Sequence, residues 1–336
     1  MGRIALASAD RPGQQKEVMN AIPQIQPLDS PAAPKLEVKP AGNAEFSTHR
    51  ISPLTHNFQQ HPLMQLPQLA ALARRLQPTK QCRYVVPGLK QESRFRHESS
   101  SPDGRSVDEV FERIEESGSW IALYDVQTDP EYARFLREVT DTMKARIEAE
   151  QPDIFRIAGF IFISAPPSVT PFHIDRENNL WLQIRGHKVM SVWDHHDRQA
   201  VSGADVDKFI KWGSLENVRL KDGDRERSHE FNVGPGDGVY FPSTSPHMTR
   251  TTTDWVRPGD GVSVSVGVVF YTRHTYRHAN IHIANYMLRK VGFDPAMPGH
   301  NAFTDTLKFW MGRATTWFAR TFRGYKPVPG LVMPNS

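Results

Sequence analysis

His173 and Asp175 stand two residues apart in TPFHIDR, and His247 follows in the later stretch FPSTSPHMT. Imidazole nitrogens and a carboxylate oxygen are donors that a divalent transition metal accepts. Two His and one carboxylate leave positions on the ion open for other ligands, the arrangement of non-heme Fe(II) oxygenases. In a strand, residues i and i+2 point to one face, so His173 and Asp175 could reach a single ion. The spacing alone is weak. With 14 His and 20 Asp in 336 residues, about one His-x-Asp arises by chance, and the chain holds two, the second being His195 with Asp197. Context separates them. His195 and Asp197 follow Trp193-Asp194 where a β-rich run passes into a polar stretch, which reads as a solvated loop end. His173 and Asp175 are expected at the head of an alternating run, after Thr170-Pro171, and His247 follows a Gly-rich turn, a strand and a loop. The residues by themselves leave two readings open: an open metal site on one sheet face, or two surface histidines and a strand-edge aspartate.

His274, His278 and His282 fall at i, i+4 and i+8 and form a stripe if that segment is helical. No glutamate occupies the metalloprotease position, so HExxH zinc chemistry is excluded. A polar helix face or contact surface is the expectation there. Gly234 to Gly238 is not followed by a Lys-Ser/Thr pair and reads as a strand-connecting turn rather than a phosphate loop.

The elements that must position these residues fall into four stretches. Residues 1–50 carry six prolines and few large apolar side chains and read as a disordered tail. Residues 51–154 form a helical and mixed region. LMQLPQLAALARRL repeats apolar residues at helical spacing, with Pro67 able to begin a helix and Pro78 closing it. Ser106 and Glu109 make a capping-box pattern for a helix ending at Ser117-Gly118. Trp120 to Tyr124 reads as a strand, and Asp129-Pro130 as the cap and first turn of a long helix. From Phe155 to residue 276 the texture is short β-rich runs between Gly- and Pro-marked turns, which points to an antiparallel sandwich or jelly roll. A polar insertion, 199–229, interrupts them. After Arg277 the pattern is helical through residue 336.

Composition bounds the rest. Hydrophobic content of 38% and charged content of 23% fit a soluble globular chain, with no apolar run long enough for a membrane span. The apolar patch Ile4 to Ala7 is too short for a signal peptide, and Leu6 takes the place of the hydroxyl that a myristoylation signal needs. Cys82 is the single cysteine, so intrachain disulfides and cysteine-rich zinc sites are excluded, and a reducing, cytoplasmic setting is the simplest expectation. The net charge of +4 gives no argument for nucleic acid. It lies in the C-terminal stretch, where Lys308, Arg313, Arg320, Arg323 and Lys326 face one acid, Asp305. On a helical wheel Phe303, Leu307, Trp310, Trp317, Phe318 and Tyr325 fall opposite the arginines and Lys308. Such a stripe could lie on an anionic membrane, but a packing or dimer face is the stronger expectation.

The run VTPFHIDRENNLWLQIRGHKVMSVWD resembles the JmjC-type, cupin-like Fe(II)/2-oxoglutarate oxygenases. It is most similar to the branch that contains the hypoxia-pathway asparaginyl hydroxylase and its bacterial relatives. The resemblance covers about residues 155–275 and implies a double-stranded β-helix core, mainly β, with N-terminal helices and a C-terminal helical extension. It implies that His173, Asp175 and His247 hold Fe(II). Thr170, three residues before the first ligand, and Lys188, fifteen after it, would bind the far carboxylate of 2-oxoglutarate. Asn179, four after the aspartate, would lie near its metal-binding end. The implied activity is an O2-dependent hydroxylation of a protein side chain or small molecule, and relatives in that branch dimerise through C-terminal helices. The chain departs from the pattern at Val262, where the asparaginyl hydroxylases carry a second Asn; Ser263 or Ser265 is the candidate to do related work. The upstream tyrosine that touches the carboxylate in the family has no evident match. The rival from another class is a metal-binding cupin that acts as a sensor or regulatory module, although such a protein needs no carboxylate clamp. Substrate selection is expected in 199–229 and 80–105.

Overall fold

A computed structural model describes residues 35–84, 90–94, 98–101, 103–116 and 120–333 of the chain. Along the sequence run strands β1 (Val38–Pro40) and β2 (Ser52–His56), helix α1 (Leu66–Leu76), β3 (Cys82–Tyr84), α2 (Val107–Glu112), β4 (Trp120–Leu123) and α3 (Pro130–Glu148). The central block holds β5 (Phe155–Ser164), β6 (Ser168–His173), β7 (Asn178–Arg185), β8 (Lys188–Val192), α4 (Gly203–Trp212), β9 (His229–Val233), β10 (Asp237–Phe241), β11 (His247–Thr251) and β12 (Ser263–Tyr271). Two long helices follow, α5 (Arg273–Lys290) and α6 (Ala302–Arg323).

β5 to β12 distribute themselves between two antiparallel sheets. The larger has the order β1-β2-β10-β7-β12-β5-β4-β3 and the smaller β6-β11-β8-β9. From β5 to β8 each successive strand crosses to the other sheet, the winding of a jelly roll, or double-stranded β-helix. β3 and β4 extend the larger sheet on one side, β1 and β2 on the other. The fold is therefore mainly β, with helices covering the sheets.

The outer face of the larger sheet carries the main core. In β12, Val264, Val266, Val268 and Phe270 point outward into the layer formed with α1, α2 and α3, and Ser263, Ser265 and Gly267 take the other face. α3 lays Tyr132, Phe135, Leu136, Val139, Met143 and Ile147 on that core, a 3.6-period stripe. Asp129 caps it by accepting from the backbone N–H groups of Glu131 and Tyr132, as its position before Pro130 predicts. The Ser106–Glu109 capping box of α2 forms in both directions. α2 ends at Glu112 with Arg113 as its C-cap, earlier than the stop expected at Ser117-Gly118, which itself lies outside the described residues.

Four expectations need correction. The disordered tail was expected over 1–50; residues 1–34 lie outside the described residues, but Val38–Pro40 pairs with β2, and Thr48 is buried. Short pieces of proline-rich chain can be fixed by edge pairing even without a core of their own. The polar insertion 199–229 contains α4, which buries Val206, Phe209 and Ile210 against a second core with Phe172, Trp193 and Ile283. The last helical region begins at Arg273 rather than after Arg277, because Thr272 caps it and Thr275 bonds back to the cap. Finally, α6 does not turn its aromatic stripe onto the rest of the chain. Its buried positions are Asp305, Lys308, Gly312 and Thr316, while Trp310 (58% exposed), Trp317 (61%) and Phe322 (63%) face outward.

Gly312 explains that choice. A mid-helix glycine costs roughly 1 kcal/mol against alanine, and here a side chain is excluded because a Cβ would overlap the carbonyl of Asn280 on α5. Gly312→Val is expected to force α5 and α6 apart and destabilise their packing by about 1–3 kcal/mol. Amide exchange should accelerate in α6 first, and unchanged protection there would refute the close-crossing account.

Candidate metal centre

His173 is the last residue of β6, and Asp175 lies beyond it in the connection to β7. This corrects the placement at the head of a strand: Thr170-Pro171 lies inside β6. The pair converges because the chain turns after His173. The Asp175 carbonyl is fixed there by the backbone N–H of Thr244 at 2.8 Å. His247 opens β11 directly opposite His173, and the same residue faces Val192 of β8. Ligand atoms of His173, Asp175 and His247 lie within 4.8 Å of one another, the one group among the described residues to converge in this way.

A register shift in the β6–β11 pair adds a second feature. His247 stands opposite His173, but Thr249 stands opposite Thr170, so an extra residue bulges from β6 around Pro171. Proline fits a bulge because no ladder N–H is needed from it. The bulge lets Thr170 share the inner face with His173 despite their odd spacing, while Phe172 points outward against Trp193.

Both imidazoles are oriented by carbonyls. His173 Nδ1 lies 2.8 Å from the Pro171 carbonyl and His247 Nδ1 lies 3.0 Å from that of Ser245. Donation from Nδ1–H to a carbonyl fixes the tautomer and leaves the Nε2 lone pair for an ion. His247 Nε2 is 3.4 Å from Asp175 Oδ2. Burial and the neighbouring His247 push His173 down to about 4, so it is a neutral donor at ordinary pH. Asp175 is lowered to about 2: burial alone would raise it, but contacts with His247 and the nearby His173 outweigh burial. Two imidazoles and one carboxylate form a donor set that suits a divalent ion.

Lys188 opens β8, and its inner-face neighbours Met190 and Val192 pack between the sheets with Trp181, Val239 and Phe241. Lys188 is 3% exposed, and it has neither an ion pair nor a hydrogen bond to any described residue through its ammonium. Burial pushes it from 10.5 down to about 7. An unpaired cation in that position needs an anion. Thr170, Asn179 and Ser265 are also buried, and Asn179 Oδ1 and Ser265 Oγ have no hydrogen-bond partner among the described residues. Ser263 is engaged, accepting from Gln183 Nε2 at 2.9 Å, and Val262 is buried before β12 begins. Of the two candidate serines, Ser265 is therefore the one with a free oxygen. The donor triad fits a metal ion, and Lys188 with these orphaned oxygens fits a small carboxylate ligand.

A tyrosine not singled out in the sequence lies close enough to the site to feel the charge of Asp175. Trp120 and Ala122 of β4 turn inward with Phe162, and Tyr124 continues their alternation just past the strand. Its ring stacks near Phe160 at 5.0 Å, and burial, then the charge of Asp175, raises its phenol above the usual range. The period-two pattern Trp120-Ala122-Tyr124 was the available signal. Glu177 was also missed. Its buried carboxyl accepts from the Tyr271 phenol at 2.5 Å, and burial with the charge of Asp175 raises it.

His195 and Asp197 do not join the triad. Asp197 accepts from the N–H groups of Gln199 and Ala200 and pairs with Arg227 at 2.9 Å, a turn-forming role. His195 contacts Asp194 and stacks on His196. The stripe His274, His278 and His282 does form on α5.

No family model matches the chain, and no curated protein sequence matches it either. Among solved structures it is similar to the ribosomal oxygenase YcfD of Escherichia coli, at 13% identity, with 85% of this chain and 69% of that chain covered and a TM-score of 0.44. A structure of YcfD in complex with cobalt and 2-oxoglutarate aligns at 14% identity over the same shares, also with a TM-score of 0.44. An X-ray structure of the same E. coli protein aligns at 14% identity and a TM-score of 0.42, with 82% of this chain and 66% of that chain covered. The chain thus spans about two thirds of the length of these structures.

Proposed function

We propose that this chain is an Fe(II)- and 2-oxoglutarate-dependent oxygenase of the JmjC-like type, hydroxylating a protein side chain or a small molecule. The observation that carries the reading is Lys188, a buried ammonium with no partner among the described residues, on the inner face of the sheet that bears His173 and His247. A metal triad alone would serve a sensor equally well; a carboxylate clamp beside it would not be needed there. In this reading His173, Asp175 and His247 hold the metal, and Lys188 and Thr170 hold the far carboxylate of 2-oxoglutarate. Asn179 and Ser265 would offer oxygens to its remaining polar groups, and Tyr124, near enough to Asp175 to feel its charge, borders the same side. When bound, Fe(II) with 2-oxoglutarate and O2 supplies the oxidising chemistry that hydroxylates a C–H bond and yields succinate and CO2. The residues orient the cosubstrate, and the apolar layer of Trp181, Met190 and Val239 keeps water from it. Thr170, Lys188 and Asn179 favour the asparaginyl-hydroxylase-like branch, and the single free cysteine, Cys82, favours a reducing, cytoplasmic setting.

The experiment is an anaerobic titration of the Fe(II)-loaded protein with 2-oxoglutarate. A visible charge-transfer band on addition supports the oxygenase. Intact iron binding without that band would move the assignment to a metal-binding cupin that senses or regulates.

The assembly follows the same reading: a homodimer through α6 is proposed. What supports it is the exposed stripe Phe303, Leu307, Trp310, Trp317, Phe318 and Phe322, on a helix whose opposite side is already packed on α5. Contiguous apolar faces of this kind mark interaction surfaces, and a two-fold contact pairs such a face with itself. Light scattering should give twice the chain mass, and Trp310→Glu with Trp317→Glu should give one. No described helix is long and apolar enough to cross a membrane. Tight liposome binding by a monomer, lost on removing residues 301–336, would reverse the choice.

A further inference from the structure

We infer that the chain carries a second ligand site, a basic cavity that binds a phosphate-sized oxyanion beside the metal centre and separate from it. The cavity has a volume of about 40 Å³, enough for one small ion, and is partly open to solvent. His274, His278 and His282 of α5 line one wall, His195 and His196 of the loop after β8 another, and His49 a third. Arg176 and Arg198 also face it, and no carboxylate lines it. Eight basic side chains around one space without an acid is an arrangement for negative charge.

The partners of these groups strengthen the case. Arg176 donates to the carbonyls of Phe209 and Ile210, and Arg198 to that of His195; neither is ion-paired among the described residues. The rings of His195 and His196 lie 3.8 Å apart and those of His274 and His278 4.0 Å apart, and none of these four rings has a hydrogen bond to a described residue. Polar nitrogens around a cavity need partners, and an oxyanion can accept from several at once. A metal ion is the competing ligand for histidines. It is disfavoured because no three of these nitrogens converge as those of the triad do, and because two guanidinium groups share the wall.

The nearby acids lie behind the lining: Asp175 and Glu177 flank Arg176 in the chain, and Glu177 accepts from the Tyr271 phenol. Glu150 is 3.9 Å from His49, Asp194 is 3.6 Å from His195, and Asp207 holds His282 at 2.7 Å and Arg289 at 2.9 Å. Arg277 adds positive charge near His274. Burial first, and then the neighbouring basic groups, push His274 down to about 4 and His195 to about 3, and lower His196 and His278 as well. An anion reverses that balance by favouring the protonated rings, so its binding takes up protons and tightens as pH falls. The cavity shares the turn Pro242–Thr244 with the metal side, where the Thr244 N–H holds the Asp175 carbonyl, yet none of the three triad residues lines it.

The test is calorimetric titration of inorganic phosphate into the full chain. Saturable binding is expected, roughly tenfold or more tighter near pH 6 than near pH 8, with heats that vary with the buffer's protonation enthalpy. His278→Asn and His195→Asn should each weaken phosphate at least about tenfold, with circular dichroism and triad metal affinity unchanged. His195 stands in a loop, so its variant remains informative if the helical one misfolds. Absence of saturable phosphate binding at both pH values would overturn the inference, as would unchanged affinity in the His195 variant. So would stoichiometric Zn(II) or Ni(II) binding that survives His173→Ala and is lost with His195→Asn. None of these outcomes depends on the oxygenase assignment, which is tested at the triad.

Discussion

Alanine at His173, Asp175 or His247 is expected to lower Fe(II) affinity by at least about 100-fold and to bring turnover to background. Loss of an outer partner of a metal ligand already costs about 10- to 100-fold, and these residues offer the donor atoms themselves. The three substitutions differ in kind. His173→Ala and His247→Ala each remove an imidazole whose Nδ1 is held on a carbonyl. Asp175→Ala removes the one acid of the set and leaves two imidazoles without a counter-charge for a dication. Asp175→Ala is therefore expected to be the most severe for metal retention. His195→Ala and Asp197→Ala are the controls, since neither reaches the triad; Asp197→Ala should cost some stability through its turn and Arg227 and nothing in metal affinity. Metal titrations on the five variants decide it. Metal affinity lost with His195 and kept without His173 would place the ion elsewhere.

Lys188→Ala is expected to weaken 2-oxoglutarate by about 30- to 150-fold, or 2–3 kcal/mol, and to leave Fe(II) affinity nearly unchanged. The contact it removes is charge-assisted and buried, and the lysine touches no metal ligand. Lys188→Arg should restore charge without restoring fit, because a planar fork replaces a compact ammonium. Burial also gives the lysine a pH signature. Its pKa in the free protein is about 7, below the ordinary 10.5. Only the ammonium clamps a carboxylate, so 2-oxoglutarate affinity should fall by up to about tenfold per pH unit above neutrality and level off below it. The sign for stability is opposite. A lysine whose folded pKa is lowered disfavours the folded state while protonated, so the ligand-free protein should gain stability as pH rises from about 7 toward 10.5. Lys188→Met should remove that dependence and stabilise the ligand-free chain by about 1–3 kcal/mol. A variant that binds 2-oxoglutarate as wild type does would reduce Lys188 to a buried residue without a ligand, and the oxygenase reading would lose its main support.

Much of this was legible in the sequence. Local rules gave the caps at Asp129 and Ser106 and the approximate strands from Phe155 to Tyr271, because capping and period-two alternation depend on neighbours a few residues away. The same rules could not say which face of a strand meets the site. In SVSVGVVFY Val264, Val266 and Val268 face outward because α3 and its companions cover that side, and the serines and glycine face inward where a ligand has room. Apolar alternation reports burial, and here both faces are buried. The bulge at Pro171 was equally invisible, since it arises from the register of β6 against β11, partners some seventy residues apart in the chain.

By itself, the sequence determined the donor chemistry: His173, Asp175 and His247 as a candidate set, with Lys188, Thr170 and Asn179 as companions through a family resemblance. Tertiary structure alone decided that these three ligands converge, that Lys188 is buried without a partner among the described residues, and that Tyr124 lies near enough to Asp175 to feel its charge. It alone gathered His49, His195 and His196 with the stripe of α5 around one space, and turned the aromatic side of α6 outward. The physical reason is range. Residue type and spacing fix what a side chain can donate and where a helix or strand begins. Convergence and burial depend on which distant segments close over one another, and at Gly312 a single missing Cβ settles which face of a helix is covered.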